Sequence, residues 1–136
     1  MKLFGAALGV LLLCSMTQSQ SARAEDGCAN PKTSYDRTYC MAKLFMEADK
    51  DLNTVYKELS GMLKPDQKKK LVQAQRNWIK FRDTACETRG RINVDCNFKV
   101  NKERHDVLAD RVRECKTGHC REDLLVQEDW KTPNEN

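Results

Sequence analysis

A long run of apolar side chains, spaced alternately by four and three residues, is the feature that most constrains the fold of this chain. The run extends from Met41 to Met62 without a proline or a change of phase. A 4-3 alternation places one side chain per turn on a single face of an α-helix. It predicts a helix from Ser34 to Leu63, about 45 Å long, that stops before Pro65. Its buried face is predicted to consist of Met41, Phe45, Ala48, Leu52, Val55, Leu59 and Met62, widened by Tyr56 and Leu63.

The remaining apolar pattern predicts two more helices and a tail. Pro65 fits the first turn of a second helix, which we expect to continue to Gly90. A third helix is expected from about Phe98 to Glu114. The expected buried positions of these helices and of a short docked helix after them are Leu71, Ala74, Trp78, Phe81, Ala85, Val100, Val107, Leu108, Val112, Leu124, Leu125 and Trp130. The predicted fold class is all-α, a small disulfide-stapled three-helix bundle with a long first helix and a short C-terminal helical tail.

Residues 1–24 have the three regions of a secretory signal peptide. A positively charged start precedes an apolar stretch over residues 3–14, and Ala22 and Ala24 stand at −3 and −1 of a cleavage site. The apolar stretch is shorter than the roughly 20 residues that cross a bilayer. The residue before Cys14 is too large for lipoprotein processing. We therefore expect a mature chain that begins at Glu25, is periplasmic or secreted, and has no stable membrane anchor.

Six cysteines remain after the signal peptide, and the oxidising compartment favours disulfides between them. Six cysteines allow 15 connectivities. Within one helix Cys28 and Cys40 would lie about 18 Å apart, so Cys28 must lie outside the helix and fold back if the two are bonded. A glycine lies between the cysteines of each later pair, where a closing loop or turn needs one. The predicted pairing is sequential: Cys28–Cys40, Cys86–Cys96 and Cys115–Cys120.

A metal site is the alternative interpretation of the last cysteines. Cys115, His119 and Cys120 could join His105 around a zinc ion. Because the compartment is oxidising, we expect the disulfide and no metal.

The charge balance weighs against a dedicated nucleic-acid binder. The full chain carries a net charge of +4, and +2 remains once Lys2 and Arg23 leave with the signal peptide. Nucleic-acid-binding domains normally have a strong basic excess. The sequence contains no glycine-rich phosphate loop, no H-E-x-x-H motif and no supported Ser-His-Asp arrangement. We expect neither an enzyme nor a cofactor.

Two charged clusters stand out on this nearly balanced background. The first is a run of three lysines in the second helix, Lys68, Lys69 and Lys70. We interpret it either as a solvated helix face or as a contact for an anionic partner. The segment 121–136 carries five acidic and two basic residues, a net charge of −3.

Polar side chains near the predicted core form the most specific pattern in the chain. Buried polar groups must be hydrogen-bonded, because an unpaired one is costly. Two interpretations follow: a network that fixes the register of the helices, which we favour, or a polar binding site between them. The residues are Asp49, Asn53, Tyr56, Gln75, Trp78, Arg82 and Arg104.

At these residues the chain resembles a family of small exported bacterial proteins, the LprI-like lysozyme-inhibitor domain. The resemblance covers about Cys28 to Glu114 and implies an all-helical, disulfide-bonded domain, here residues 25–120. The Cys115–Cys120 loop and the acidic tail over 121–136 look like additions to the family pattern. It rests on the ordered motifs Ala48-Asp49, Leu52-Asn53-x-x-Tyr56, Leu71-Val-x-Ala74-Gln75-Arg76-Asn-Trp78-Ile79, Arg82-Asp83, Cys86 and Arg104-x-x-x-Leu108.

The resemblance also implies a function and a partner. We expect a protein that binds lysozyme-type peptidoglycan hydrolases and inhibits them stoichiometrically. Animal lysozymes are strongly cationic, so the candidate contact is the acidic patch of the tail. This patch consists of Glu122, Asp123, Glu128 and Asp129. The alternative is an envelope interaction module that neutralises a toxin or associates with the cell wall without inhibiting lysozyme.

Overall fold

A computed structural model describes Cys28, residues 30–128 and residues 130–131. The predicted all-α bundle of three helices with a long first helix is confirmed. None of the helices in this described part of the chain is long and apolar enough to cross a membrane. In chain order the elements are helix α1 (Ser34–Met62), helix α2 (Pro65–Cys86), strand β1 (Glu87–Thr88), strand β2 (Arg91–Ile92), helix α3 (Val94–Lys116) and a 3₁₀ helix (Asp123–Leu125).

Each helix begins at a residue whose chemistry suits a helix start. Thr33 Oγ1 accepts a hydrogen bond from Asp36 N at 3.0 Å and satisfies one of the unpaired amides of α1. Pro65 occupies the first turn of α2, where an amide hydrogen would have no intrahelical partner. Asn93 Oδ1 accepts a hydrogen bond from Cys96 N at 3.1 Å at the start of α3. The N-terminus of each helix is therefore fixed by local sequence.

The helices run up, down and up, so that α1 and α3 are parallel and α2 is antiparallel to both. Arg37 and Asp95 pair at 3.8 Å near the starts of α1 and α3, and Glu58 and Lys116 pair at 2.8 Å near their ends. The link of two residues between α1 and α2 reverses the chain.

The core lies along the axis where the three helices meet. Trp78, in the middle of α2, is 2 % exposed, and Leu59 and Leu71 are fully buried. Leu125 of the 3₁₀ helix joins the same core, so the segment after α3 packs on the bundle. The other buried apolar residues are Leu44, Leu52, Val55, Leu63, Ala74, Cys86, Val100, Leu108 and Val112.

Three disulfides join the cysteines in sequential order. Cys28 lies outside α1 and folds back onto its first turns. The second disulfide closes the connection between α2 and α3, and the third closes the turn after α3 and uses both sulfurs that a zinc site would need. Among the described residues, no three His, Cys, Asp or Glu side chains are grouped to hold a metal ion. The Cα atoms lie 4.3 to 5.6 Å apart in the pairs Cys28–Cys40, Cys86–Cys96 and Cys115–Cys120.

The predicted boundary between the second and third helices is wrong. Helix α2 ends at Cys86 rather than at Gly90, because residues 87–92 pair as a small antiparallel hairpin. Helix α3 begins at Val94, four residues before the predicted Phe98.

Two residues predicted to be buried are exposed instead, Met62 by 39 % and Val107 by 41 %. Helix α1 ends at Met62, and Leu63 turns inward and takes the last core position. On α3 the buried face includes Asn101 and Arg104, so Val107 lies toward solvent. Because these polar residues are part of the buried face of α3, that face is rotated relative to the one that the apolar residues alone predict.

Candidate functional site

A polar contact point lies where all three helices meet, around the carboxylate of Asp49 on α1. Asn101 Nδ2 of α3 donates a hydrogen bond to Asp49 Oδ1 at 3.2 Å, and Arg82 Nη1 of α2 lies 3.8 Å from the same oxygen. Within α1, Asn53 Nδ2 donates to Asp49 Oδ2 at 3.0 Å. One carboxylate thus has contacts with three helices, an arrangement suited to holding their register.

Arg82 has partners on either side of its guanidinium group. Its Nη2 donates to Asp83 Oδ1 at 2.8 Å, and its guanidinium carbon lies 5.3 Å from the centre of the Trp78 ring. The side chain is 19 % exposed. Because the charge is mostly out of water, it depends on the carboxylates and the aromatic face around it.

A second polar cluster surrounds Arg104 on α3, which is only 3 % exposed. Its Nε donates to Gln75 Oε1 of α2 at 3.1 Å, and its guanidinium carbon lies 5.8 Å from the centre of the Trp130 ring. Burial lowers the pKa of Arg104 to about 10, although the nearby Glu128 and Tyr56 act in the opposite direction. This side chain therefore connects α2, α3 and the C-terminal segment.

The structure divides the polar residues that the sequence singled out into these two clusters. Asn101 is the member of the first cluster that sequence reasoning missed. It lies three residues before Arg104 and shares its helix face, and this spacing is the signal that could have found it. The residues around Asp49 are Asn53, Trp78 and Arg82, and those around Arg104 are Tyr56 and Gln75.

The described part of the acidic tail, residues 121–128 and 130–131, packs along α2. Glu122 pairs with Lys70 at 2.7 Å, and Glu128 accepts a hydrogen bond from Asn77, which lies two turns further along the helix. The described part of the segment thus follows α2 in the same direction and reaches Phe81, whose ring centre lies 5.6 Å from that of Trp130.

The third acidic side chain of the predicted patch has a local partner. Asp123 pairs with Arg121 at 2.7 Å, and the hydrogen bond from this arginine lowers the pKa of Asp123. Asp129 lies outside the described residues. The acidic side chains that the structure describes are exposed, but each already has an intramolecular contact.

Two of the three consecutive lysines of α2 also have partners. Lys69 pairs with Asp66 at 3.1 Å, and Lys70 is the partner of Glu122. These ion pairs reduce the positive charge that the 68–70 segment offers to an anionic partner.

A shallow groove of about 210 Å³ lies between α1 and α3. Leu44, Ala48 and Phe98 supply apolar lining, while Glu47 and Asp51 supply carboxylates. The groove can receive an apolar or cationic side chain of a partner.

The 87–92 hairpin is an exposed feature at the end of the bundle where α2 meets α3. Its strand register pairs Thr88 with Arg91, so Arg89 and Gly90 form the tip. Both tip residues have positive φ, 53° and 71° respectively, as a two-residue type I′ turn requires. All six residues of the hairpin are exposed.

Comparison with known families agrees with the resemblance seen in the sequence. A family model described as "Lysozyme inhibitor LprI" matches residues 26–108, more than half of the chain. Comparisons with curated proteins and with solved structures give no match. The matched segment contains the polar cluster around Asp49, Arg104 with its partner on α2, and the 87–92 hairpin. The chain belongs to the LprI lysozyme-inhibitor family.

Proposed function

We propose that this protein is an exported inhibitor of lysozyme-type peptidoglycan hydrolases that acts stoichiometrically by covering the substrate cleft. The observation that carries the proposal is the family match over residues 26–108. As an inhibitor the protein needs a binding surface and no catalytic group, cofactor or metal of its own.

The disulfide-bonded structure of the domain supports this role. Two disulfides lie within the matched segment, and a third follows it. A surface that is already ordered before binding loses less conformational entropy on association than a flexible one. The polar contacts of Asp49 and Arg104 between helices serve the same end, since we assign them to holding the helices in register.

The family and the disulfides also support an extracytoplasmic location, because disulfides persist in oxidising compartments. We propose that residues 1–24, which lie outside the described residues, are removed as a signal peptide. The active form is then the oxidised chain that begins at Glu25, in the periplasm or secreted.

A turbidity assay tests the proposal. Oxidised protein starting at Glu25 is titrated into lysozyme acting on a cell-wall suspension, and we expect clearing to stop near a one-to-one ratio. Reduced protein is the matched control, because it has the same composition without the disulfides. Unaltered clearing at a large molar excess over several lysozyme types would refute the proposal.

A protein that only coats the cell wall could imitate inhibition in that assay. The two cases differ in a pelleting experiment with purified sacculi and no enzyme. An inhibitor that acts on lysozyme stays in the supernatant. A wall-associated module sediments with the sacculi, and neutralising Lys68, Lys69 and Lys70 releases it.

A further inference from the structure

We propose that the 87–92 hairpin is the element that enters the lysozyme cleft, with Arg89 and Arg91 facing the catalytic carboxyl groups. The inference rests on the proposed function and names its contact surface. It is carried by the shape of the hairpin, by its unpaired charges, by its rigid base and by its position in the family match.

Shape is the first argument. Lysozyme-type hydrolases cleave a polysaccharide held between two carboxyl groups, so the site to be blocked is concave. The faces of a helical bundle are broad, whereas the 87–92 hairpin is only two short strands wide. One side of the hairpin is concave, a hollow of about 410 Å³ lined by Thr88, Arg89, Arg91, Ile92 and Asn93, so the part that enters the cleft is the tip. The 87–92 hairpin connects two helix ends and all of its residues are exposed.

Charge is the second argument. Arg89 and Arg91 have no ion pair or side-chain hydrogen bond with any residue that the structure describes, whereas arginines such as Arg82, Arg111 and Arg121 are paired within the chain. Guanidinium groups match carboxylates in geometry as well as in charge. Because salt screens exposed charges beyond about 8 Å, the tip responds to the carboxylates next to it rather than to the net charge of the enzyme.

The base of the hairpin is held in place. The disulfide between Cys86 and Cys96 spans it, and Asn93 N donates to Cys86 O at 2.9 Å. The side chain of Asn93 also caps α3. A preformed loop of this kind binds without a large loss of conformational entropy.

The residue at the tip is unusual for its conformation. Arg89 has φ of 53°, a left-handed value that disfavours residues other than glycine, asparagine and aspartate. A type I′ turn prefers asparagine at this position. The turn itself does not explain an arginine here, and a role of its side chain in binding does.

The extent of the family match favours the hairpin over the acidic tail as the contact surface. Residues 87–92 lie inside the matched segment 26–108, whereas Glu122, Asp123 and Glu128 lie beyond it. A contact common to the family must lie within the matched segment.

Inhibition constants of paired variants test the inference. The double variant Arg89→Asn, Arg91→Gln removes both charges, and its asparagine suits the turn, so the fold is retained. We expect its Ki for lysozyme to rise about 100-fold, the usual scale for loss of one partner of a buried charge pair. Arg76→Gln is the matched control, since it removes one exposed arginine of α2 about 15 Å from the hairpin, and its Ki should equal that of the wild type.

A second arm locates the contact on the enzyme. Calorimetry at pH 8, where the general-acid glutamate with its pKa of about 6 is ionised, measures binding to an animal lysozyme and to its variant with glutamine at that position. The wild-type protein should bind the glutamine variant at least tenfold more weakly, and the Arg89→Asn, Arg91→Gln variant should bind the two enzymes equally. Such non-additivity is the signature of direct contact.

The outcomes separate the two proposals. A wild-type protein that neither binds nor inhibits lysozyme refutes the proposed function, and the hairpin inference with it. A wild-type protein that inhibits while the double variant inhibits equally well leaves the proposed function standing and overturns the hairpin inference.

Discussion

Asn101 and Asp49 face each other between α3 and α1, with Asn101 Nδ2 3.2 Å from Asp49 Oδ1, and the side chain of Asn101 is fully buried. The same carboxylate oxygen is the one nearest to Arg82. Asp49 is therefore the acceptor on which a buried amide of one helix and a mostly buried cation of another both depend.

Removing this acceptor should destabilise the protein. We expect Asp49→Ala to lower the free energy of unfolding by about 1–3 kcal/mol, because it leaves the buried amide of Asn101 without a partner. Glu47→Ala, an exposed acid of the same helix, should change it by less than about 0.5 kcal/mol. Urea denaturation followed by circular dichroism measures both. Equal stabilities of the two variants would show that the Asp49 contacts do not hold the helices together.

Arg104 should be replaceable by an apolar side chain of similar length. Its pKa of about 10 in the folded protein is below the ordinary value of an arginine, so the unfolded chain holds the proton more tightly and the buried charge costs stability at neutral pH. This cost is present below pH 10 and is relieved only as the pH rises above it. Its Nη2 atom is buried without a hydrogen-bond partner in the described part of the chain.

We therefore expect Arg104→Met to be at least as stable as the wild type at pH 7. Arg104→Ala should lose about 2–4 kcal/mol, because it leaves a cavity beside Gln75 and Trp130. Thermal and urea unfolding at pH 7 compare the two variants. If both lose the same amount, the guanidinium group itself contributes stability and the expected cost of its burial is wrong.

Opening the disulfide at the base of the hairpin should affect both stability and inhibition. Replacing Cys86 and Cys96 by alanine should lower the free energy of unfolding by about 3 kcal/mol and raise the Ki, because the hairpin loses its rigid base. The matched control replaces Cys115 and Cys120, whose disulfide lies outside the hairpin. That control should lower stability without changing the Ki at a temperature where both variants are folded. A raised Ki in both variants would assign the effect to general loss of stability.

We propose that the acidic tail contributes to the rate of association. Neutralising Glu122, Asp123, Glu128 and Asp129 should slow binding to a cationic lysozyme several-fold at low ionic strength and leave the dissociation rate unchanged. The difference should shrink as salt is raised to 0.15 M. Surface plasmon resonance at two salt concentrations measures both rates. An altered dissociation rate would indicate that the tail lies in the bound interface.

The sequence predicts the helices and the order of the disulfides because both depend on local features. Thr33 and Pro65 mark helix starts by their own chemistry, and the apolar spacing of α1 repeats often enough to define a face. The hairpin could not be predicted in this way. A positive φ at Gly90 suits a helix C-terminus as well as a two-residue turn, and strands of two residues show no periodicity.

The two polar clusters are only partly visible in the sequence. Asn101 and Arg104 are polar residues on the buried face of α3. Their burial depends on hydrogen bonds to Asp49 and Gln75, which come from other helices. In the same way, the pairing of Glu122 with Lys70 joins residues 52 positions apart. Contacts of this kind arise from the packing of the helices, which no local pattern specifies.

Hydrolysis of a soluble chromogenic oligosaccharide by lysozyme, in the presence of increasing amounts of the oxidised chain from Glu25, tests stoichiometric inhibition most directly. This substrate removes the cell wall from the assay, so any inhibition must act on the enzyme. We predict that residual activity falls linearly and reaches its floor near one molecule of protein per molecule of lysozyme. Full activity at a tenfold excess of protein, with several lysozyme types, would contradict the proposed function.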